Sequence, residues 1–234
     1  MAVCADVAIN TIGGGHIEHV AMAHARALLA SPAAPDTVER YALGPSLGQC
    51  CGGVVHLSYT RVSATDGAAL ASTLAPRLQP LALFGGGHVG RALVEVLAPL
   101  PFALRWIDSR DEIFPEQISA AVHCEYSDPV QAAVADLVPG SAVLIMSFSH
   151  AEDLDVVAAC LSRQRERGDL PFIGLIGSQT KWATFRHRLE ARGFGPDDWT
   201  AVTCPIGVPG IVGKAPEVVA VAVAAQLLQQ PFMH

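Results

Sequence analysis

The chain has 234 residues, of which 51% are hydrophobic and 16% are charged, with a formal net charge of −7 at pH 7. This acidic balance argues against nucleic acid as a partner, because proteins that bind nucleic acid present a basic surface. No apolar run reaches the roughly 18 residues of a membrane span. The first residues lack a signal-peptide pattern and the six cysteines show no disulfide framework, so we expect a cytoplasmic protein.

Residues 1–60 have the pattern of a small α+β domain. Four elements are predicted there: a strand at 2–9, an Ala-rich helix at 17–29, and two strands at 37–43 and 54–59. Residues 61–79 contain Ser, Thr, Gly and Pro without strong periodicity, and we interpret them as a linker with one short helix at 66–74. We therefore predict a domain boundary near Pro80.

The strongest single motif opens the second domain. A buried strand at 81–84 leads into a turn that fits the pattern G-x-G-x-x-G, Gly85-Gly86-Gly87-His88-Val89-Gly90. A helix follows, and a second strand at 102–107 ends at Asp108, 18 residues after Gly90. This order is typical of a dinucleotide-binding unit, in which glycines let the backbone approach a pyrophosphate and the helix N-terminus offers unbonded N–H groups.

Strands and helices alternate through the rest of the chain. Further strands are predicted at 121–125, 142–148 and 171–176. Further helices are predicted at 129–137, between Ser149 and Gly168, between Ser178 and Gly193, and at 216–228. This alternation favours a parallel sheet with helices on both faces. We predict an α/β chain with a Rossmann-like, doubly wound parallel sheet domain over residues 80–234, preceded by the smaller α+β domain.

Ligands of doubly wound sheets bind beyond the carboxyl ends of the strands. Those ends supply the candidate cofactor-binding residues, which are Gly85, Gly86, Gly87, His88, Gly90, Asp108, Ser109, Arg110, His150, Gly177, Ser178 and Lys181. No Ser-His-Asp arrangement, nucleophile elbow or paired-carboxylate motif is evident in the sequence, so no catalytic residue is predicted.

Several of these candidates have a second interpretation. The glycine turn either holds a ligand or closes a Rossmann-type sheet without one, and His88 either contacts that ligand or faces solvent. Lys181 lies in the first turn of a helix, where a cation opposes the helix dipole; a bound phosphate would offset this, and an exposed lysine is the alternative. His150 with Glu152 and Asp153 indicates either a metal site or a helix cap.

Cys50 and Cys51 are adjacent within the glycine-rich loop at residues 44–53. Adjacent cysteines form a disulfide only with strain. Their thiolates are able to bind a soft centre such as molybdenum or copper(I), or to receive sulfur. The alternative is that both are small buried residues at the start of a strand.

An ordered set of motifs carries a resemblance that covers nearly the whole chain. The motifs are Thr11-Ile12-Gly13-Gly14-Gly15 with Glu18, LGQCCGG at 47–53, LFGGGHVGRAL at 83–93, WIDSR at 106–110, FSHAEDLD at 148–155, IGLIGSQTKWATF at 173–185, and PIGV with GKAPE at 205–217. On these motifs the chain resembles the XdhC/CoxF family, accessory proteins for molybdenum hydroxylases such as xanthine dehydrogenase. Relatives usually carry an additional N-terminal segment before the position of Met1.

The resemblance implies a chaperone of the molybdenum cofactor, a pterin dithiolene with a phosphate. Family members shield this cofactor while a cysteine desulfurase-type partner supplies the terminal sulfur, and then pass it to an apo-hydroxylase. By this resemblance, Cys50 and Cys51 contact or protect the molybdenum or its sulfur across an interdomain cleft. Residues 85–90 with Lys181 would hold the phosphate, and Asp108 would bond the pterin or a nucleotide ribose.

Two other functions remain open at this point. An NAD(P)-dependent oxidoreductase would use the same glycine turn together with Asp108. A structural adaptor within the hydroxylase assembly is the other. The apolar surplus of the composition is also compatible with a homodimer.

Overall fold

A computed structural model describes residues 1–31, 35–43 and 53–233 of the chain. These residues form two compact units, Met1–Pro76 and Arg77–His234. The stretch interpreted as a linker, residues 61–79, thus falls largely within the first unit. Cys50 and Cys51 lie outside the described residues, so the structure does not bear on their predicted role.

The described residues of the first unit form four strands and two α-helices. Its elements are β1 Ala2–Val3, β2 Ala8–Ile9, α1 Gly15–Ala30, β3 Thr37–Leu43, β4 Gly53–Tyr59, a 3-10 turn at Ala64–Asp66 and α2 Gly67–Leu74. Strands β1 and β2 pair with each other in antiparallel fashion, and so do β3 and β4. The predicted single strand at 2–9 is wrong because the Cys4 N–H donates to the Val7 carbonyl at 2.8 Å, which closes a turn between β1 and β2.

Glu18 holds the glycine turn that precedes α1. Its carboxylate accepts hydrogen bonds from the N–H groups of Ile12 at 2.9 Å and Gly14 at 3.1 Å, and from the Thr11 hydroxyl. These bonds, led by the one from Thr11, lower the pKa of Glu18 from its ordinary value of 4.5. In the first unit, therefore, the Thr-Ile-Gly-Gly-Gly motif and Glu18 form one hydrogen-bonded structure.

We expect Glu18→Gln to lower the midpoint of thermal unfolding at neutral pH. Because the pKa of Glu18 is lowered by folding, its stabilising contribution is present above its unfolded pKa and is lost as pH falls through the folded value. The difference in melting temperature between parent and variant should therefore become smaller below about pH 4.5. Thermal melts of both proteins over a pH series check this, and a difference that stays constant at acid pH would contradict it.

The second unit alternates strands and helices. Its principal elements are β5 Gln79–Phe84, α3 His88–Leu97, β6 Phe102–Asp108, β7 Val122–Tyr126, β8 Ala142–Ile145, α4 His150–Arg167, β9 Phe172–Leu175, α5 Gln179–Glu190, α6 Pro196–Trp199, β10 Val202–Thr203 and α7 Pro216–Leu228. Shorter 3-10 helices lie at Asp111–Ile113, Val130–Asp136 and Pro231–Met233. Among the helices of the described ranges, none combines the length and the apolar character needed to cross a membrane.

The six strands from β5 to β10 form one parallel sheet in the order β10-β9-β8-β5-β6-β7. The order reverses between β5 and β8, which makes their carboxyl ends the topological switch point. Alternate residues of β5 face two different apolar clusters: Phe84 packs with residues of α4 and α5, and Leu83 packs with residues of α3 and α7. The predicted Rossmann-like, doubly wound fold is therefore confirmed.

Strand β8 ends three residues earlier than predicted. The backbone N–H of Ser147 donates to Asp153 Oδ1 at 2.7 Å, and that of Phe148 donates to Glu152 Oε2 at 3.0 Å. The acids of the first turn of α4 thus take over N–H groups that a longer strand would use in the sheet. The end of α4 agrees with prediction, since Gly168 adopts a φ of 62° directly after it.

Candidate functional site

The glycine turn between β5 and α3 is compressed at two positions. A Cβ atom on Gly85, whose φ is +122°, would lie 2.0 Å from the Met146 carbonyl oxygen. A Cβ on Gly90 would lie 2.0 Å from the Gly85 carbonyl oxygen, which also accepts a hydrogen bond from Trp106 Nε1 at 2.9 Å. These two glycines let α3 approach the switch point closely, as the motif predicts.

Among the described residues, the first amides of α3 have no hydrogen-bond partner. Gly87 precedes the helix and caps it with no side chain. No described residue accepts a hydrogen bond from the N–H groups of His88, Val89 or Gly90, and a Cβ on Gly87 would meet nothing within 4 Å. By contrast, Ser149 Oγ and Ser178 Oγ cap α4 and α5. Unbonded amides at a positive dipole end favour an anion.

His88 itself is exposed on the first turn of α3. This exposure agrees with the solvent-facing interpretation of the side chain. The backbone N–H of His88 is one of the first-turn amides that have no partner within the helix. A contact between its imidazole and a ligand stays a prediction.

Asp108 is directed toward the protein and is 1% exposed. Its Oδ2 accepts from Gly86 N at 2.6 Å and from Arg110 Nη2 at 3.0 Å. Its Oδ1 accepts from Arg110 Nε at 2.8 Å and Arg110 N at 3.0 Å. The carboxylate therefore fixes the glycine turn. Its predicted bond to a pterin or ribose would replace one of these contacts, and that bond stays a prediction.

Arg110 and Ile113 cover the outer side of the same turn. The Arg110 guanidinium lies 4.2 Å from the centre of the Phe148 ring, and its hydrogen bonds to Asp108 raise its pKa. A Cβ on Gly86 would lie 2.7 Å from Ile113 Cγ1, so Ile113 packs directly on this glycine. The segment after β6 thus occupies space beside Gly86 but not beside Gly87.

Lys181 has a protein counter-ion that the sequence did not predict. Its Nζ lies 2.7 Å from Asp153 Oδ2 and 2.7 Å from the Ile176 carbonyl oxygen. Both side chains are largely buried, with exposed fractions of 12% for Lys181 and 3% for Asp153. Asp153 therefore balances the positive charge of Lys181, which the sequence analysis had expected a bound phosphate to balance. Gly177 leaves room for the lysine, because a Cβ there would lie 2.6 Å from Lys181 Cδ.

The acids near His150 behave as helix-capping groups. Glu152 accepts from Ser109 Oγ at 2.8 Å as well as from the Phe148 N–H, and Asp153 bonds Lys181. Within the part of the chain that the structure describes, no group of three or more His, Cys, Asp or Glu side chains is placed to hold a metal ion. The geometry at His150 favours the cap over the metal site.

Ser147 is a further candidate ligand-binding residue, which the sequence analysis had assigned to a strand. Its hydroxyl oxygen is buried and has no hydrogen-bond partner among the described residues. Its backbone N is 3.1 Å from the position of a Cβ on Gly85, which places Ser147 beside the glycine turn. Because buried hydroxyls are normally bonded, Ser147 is a candidate donor to a ligand.

Three predicted residues line one pocket at the start of α5. This pocket has a volume of about 290 Å3 and includes His150, Ser178 and Lys181. Its other lining residues, which sequence reasoning missed, are Thr180, Thr184, Phe185 and Arg188. The predicted residues therefore divide into a glycine-turn group, with Asp108, Ser109 and Arg110, and this pocket group.

Comparison with known families decides the identity of the second unit. The family model of the XdhC Rossmann domain matches residues 81–227, more than half of the chain. The chain belongs to the XdhC family. The matched range contains both the glycine-turn group and the pocket group, so the site geometry described above is that of an XdhC Rossmann domain.

One curated protein and one solved structure are similar to this XdhC-family chain. Escherichia coli YqeB, an uncharacterized protein, is 26% identical over 152 residues, which are 64% of this chain but only 27% of YqeB. A crystal structure of a xanthine dehydrogenase from Bacillus halodurans aligns with a TM-score of 0.76 at 16% identity, covering 95% of this chain and 82% of that one. The second likeness shows a shared fold.

Proposed function

We propose that this XdhC-family chain is an accessory chaperone that binds the molybdenum cofactor and protects it during sulfuration. It then delivers the cofactor to a xanthine dehydrogenase-type molybdenum hydroxylase. The observation that carries the proposal is the uncapped N-terminus of α3 beside the glycine turn, at the switch point of an XdhC Rossmann domain. This is a place where a doubly wound sheet accepts an anionic ligand.

The phosphate end of the cofactor fits the donors at this switch point. The N–H groups of His88, Val89 and Gly90 are unbonded in the described structure, and Gly87 has open space where a side chain would otherwise stand. The buried Ser147 hydroxyl adds a side-chain donor beside the turn. When bound, the cofactor would supply a molybdenum dithiolene centre. The chain's own part is to hold the phosphate and orient the pterin.

The metal end of the cofactor is assigned to Cys50 and Cys51. Their thiols would contact or protect the molybdenum or its sulfur while a cysteine desulfurase-type partner provides that sulfur. This role requires reduced thiols, which is consistent with a cytoplasmic location.

We expect the double change Cys50→Ala with Cys51→Ala to separate binding from maturation. The phosphate contacts at α3 should keep the pterin bound, whereas loss of both thiols should lower the fraction of hydroxylase that becomes active. Pterin content and activation of an apo-hydroxylase are measured side by side. A variant that binds and transfers cofactor like the parent would exclude the thiol role.

An NAD(P)-dependent oxidoreductase is the second candidate. The strand order and the G-x-G-x-x-G turn favour it, because both are shared with dinucleotide-binding folds. The environment of Asp108 weighs against it. The acid that would accept a bond from the ribose is already bonded to Gly86 and Arg110. We therefore place the cofactor chaperone first.

Gly87→Val should reduce the molybdopterin retained by the purified protein by about tenfold or more, because a side chain at the phosphate position displaces charge-assisted hydrogen bonds. The matched control is Gly195→Val: Gly195 also precedes a helix in extended backbone, and a Cβ there also meets nothing within 4 Å. Both variants should melt at similar temperatures. Equal amounts of pterin released from the two denatured variants would rule out phosphate binding at α3. Tight nicotinamide binding with hydride transfer would favour the NAD(P)-dependent oxidoreductase.

A further inference from the structure

The pocket at the start of α5 is a feature that the proposed function does not use. His150, the first residue of α4, is one of its lining residues. Thr180, Thr184 and Arg188 also line it; they are spaced by four residues and therefore lie along one side of α5. The pocket measures about 290 Å3, enough for a small organic molecule rather than a single ion.

The charge of this pocket differs from that of the chain. The chain carries 22 Asp and Glu against 15 Lys and Arg, yet no acidic residue lines the pocket. The charge of Lys181 is balanced by Asp153. Arg188 also lines the pocket, and its guanidinium has no ion pair or hydrogen bond to any residue in the described ranges, so its positive charge is available to a ligand. Such a pocket favours a negatively charged guest.

One aromatic residue, Phe185, lines the pocket. Phe185 is 2% exposed, and its ring stands edge-on to the His150 ring at a centroid distance of 6.4 Å. Lys181 Nζ lies 5.3 Å from the centre of the same ring. Thr180 and Ser178 add hydroxyl groups to the lining. A lining that combines a cation, hydroxyl groups and an aromatic ring matches a ligand that has an anionic group on a flat or apolar body.

We propose that this pocket is a second ligand site, which accepts a small phosphate monoester. Arg188 and His150 bind the phosphate together with the Thr180 hydroxyl, and the organic part lies against Phe185. The proposal goes beyond the proposed function, because it involves neither the glycine turn nor the N-terminus of α3 and holds whichever cofactor binds there.

The test is calorimetric titration of the full chain with guanosine monophosphate and, separately, with inorganic phosphate at low ionic strength. We expect saturable binding of the nucleotide, tighter than that of phosphate. Arg188→Gln should weaken it by about tenfold, because the change removes a charge-assisted contact. The control is Arg186→Gln on the same helix: Arg186 lies 5.8 Å from the Trp199 ring and does not line the pocket. This variant should bind like the parent.

The titrations are repeated in Gly87→Val to remove any contribution from α3. If the pocket is the site, the affinity for the nucleotide is unchanged in this variant, even if the molybdenum cofactor binds elsewhere or not at all. Absence of saturable binding, equal affinity for nucleotide and phosphate, or equal losses in Arg188→Gln and Arg186→Gln would each overturn the proposal. Because Arg188 is exposed, its change should not unfold the chain, and a melting curve of the variant verifies this.

Discussion

Gly85→Ala is expected to destabilise the second unit severely. The added Cβ would lie 2.0 Å from the oxygen and 2.5 Å from the carbon of the Met146 carbonyl, and both are backbone atoms that cannot rotate away. The backbone at Gly85 also has a φ of +122°, which side chains rarely tolerate. Strain of roughly 1–3 kcal/mol and overpacking of roughly 1–3 kcal/mol together remove a large part of a typical stability of about 5–15 kcal/mol.

The measurement is urea unfolding followed by tryptophan fluorescence. Trp106 is a suitable reporter, because its indole N–H bonds the Gly85 carbonyl and its side chain is buried. Gly87→Ala is the control: the same chemical change two residues later meets nothing within 4 Å. If Gly85→Ala and Gly87→Ala unfold at the same urea concentration, the compressed turn described here is wrong.

Asp153→Ala should destabilise the second unit by breaking a largely buried ion pair. It leaves the largely buried Lys181 ammonium without its carboxylate and removes the acceptor of the Ser147 N–H. Breaking a buried pair by removing one partner typically destabilises by about 3–5 kcal/mol. The loop after β8 should loosen as well, since Asp153 holds it through Ser147.

The matched control for Asp153→Ala is Asp155→Ala on the same helix. Asp155 pairs with Arg192, and the exposed fractions of these side chains are 37% and 42%. Exposed pairs contribute only about 0–1 kcal/mol. Chemical denaturation of both variants gives the two free energies of unfolding. A loss for Asp153→Ala no larger than that for Asp155→Ala would contradict the assignment of a stabilising buried pair.

The fold of the second unit was predictable because its signals are local. Apolar runs, prolines and glycines mark β5, β6 and α7 within a residue or two of their observed ends. Strand β10 was missed because it is only two residues long and depends on pairing with β9. The reversal between β1 and β2 was missed because a single turn hydrogen bond produces it.

The candidate site was predictable where glycines carry the signal. The G-x-G-x-x-G pattern identified the turn. The positive φ of Gly85 and the close backbone contacts at Gly85 and Gly90 explain these two glycines. The partner of Lys181 was not predictable, because Asp153 is 28 residues away in the chain and meets it only through the packing of α4 and α5. Arg188 gave no signal at all, since an isolated arginine on a helix is ordinarily a solvated residue.

The most direct test of the central claim is the response of the α3 amides to the isolated molybdenum cofactor. In a 15N-labelled protein, we expect the N–H resonances of His88, Val89 and Gly90 to shift and their hydrogen exchange to slow as the cofactor is added. The capped first turns of α4 and α5 serve as internal references. Tight cofactor binding that leaves these three amides unshifted and freely exchanging would contradict the proposal that they hold the phosphate.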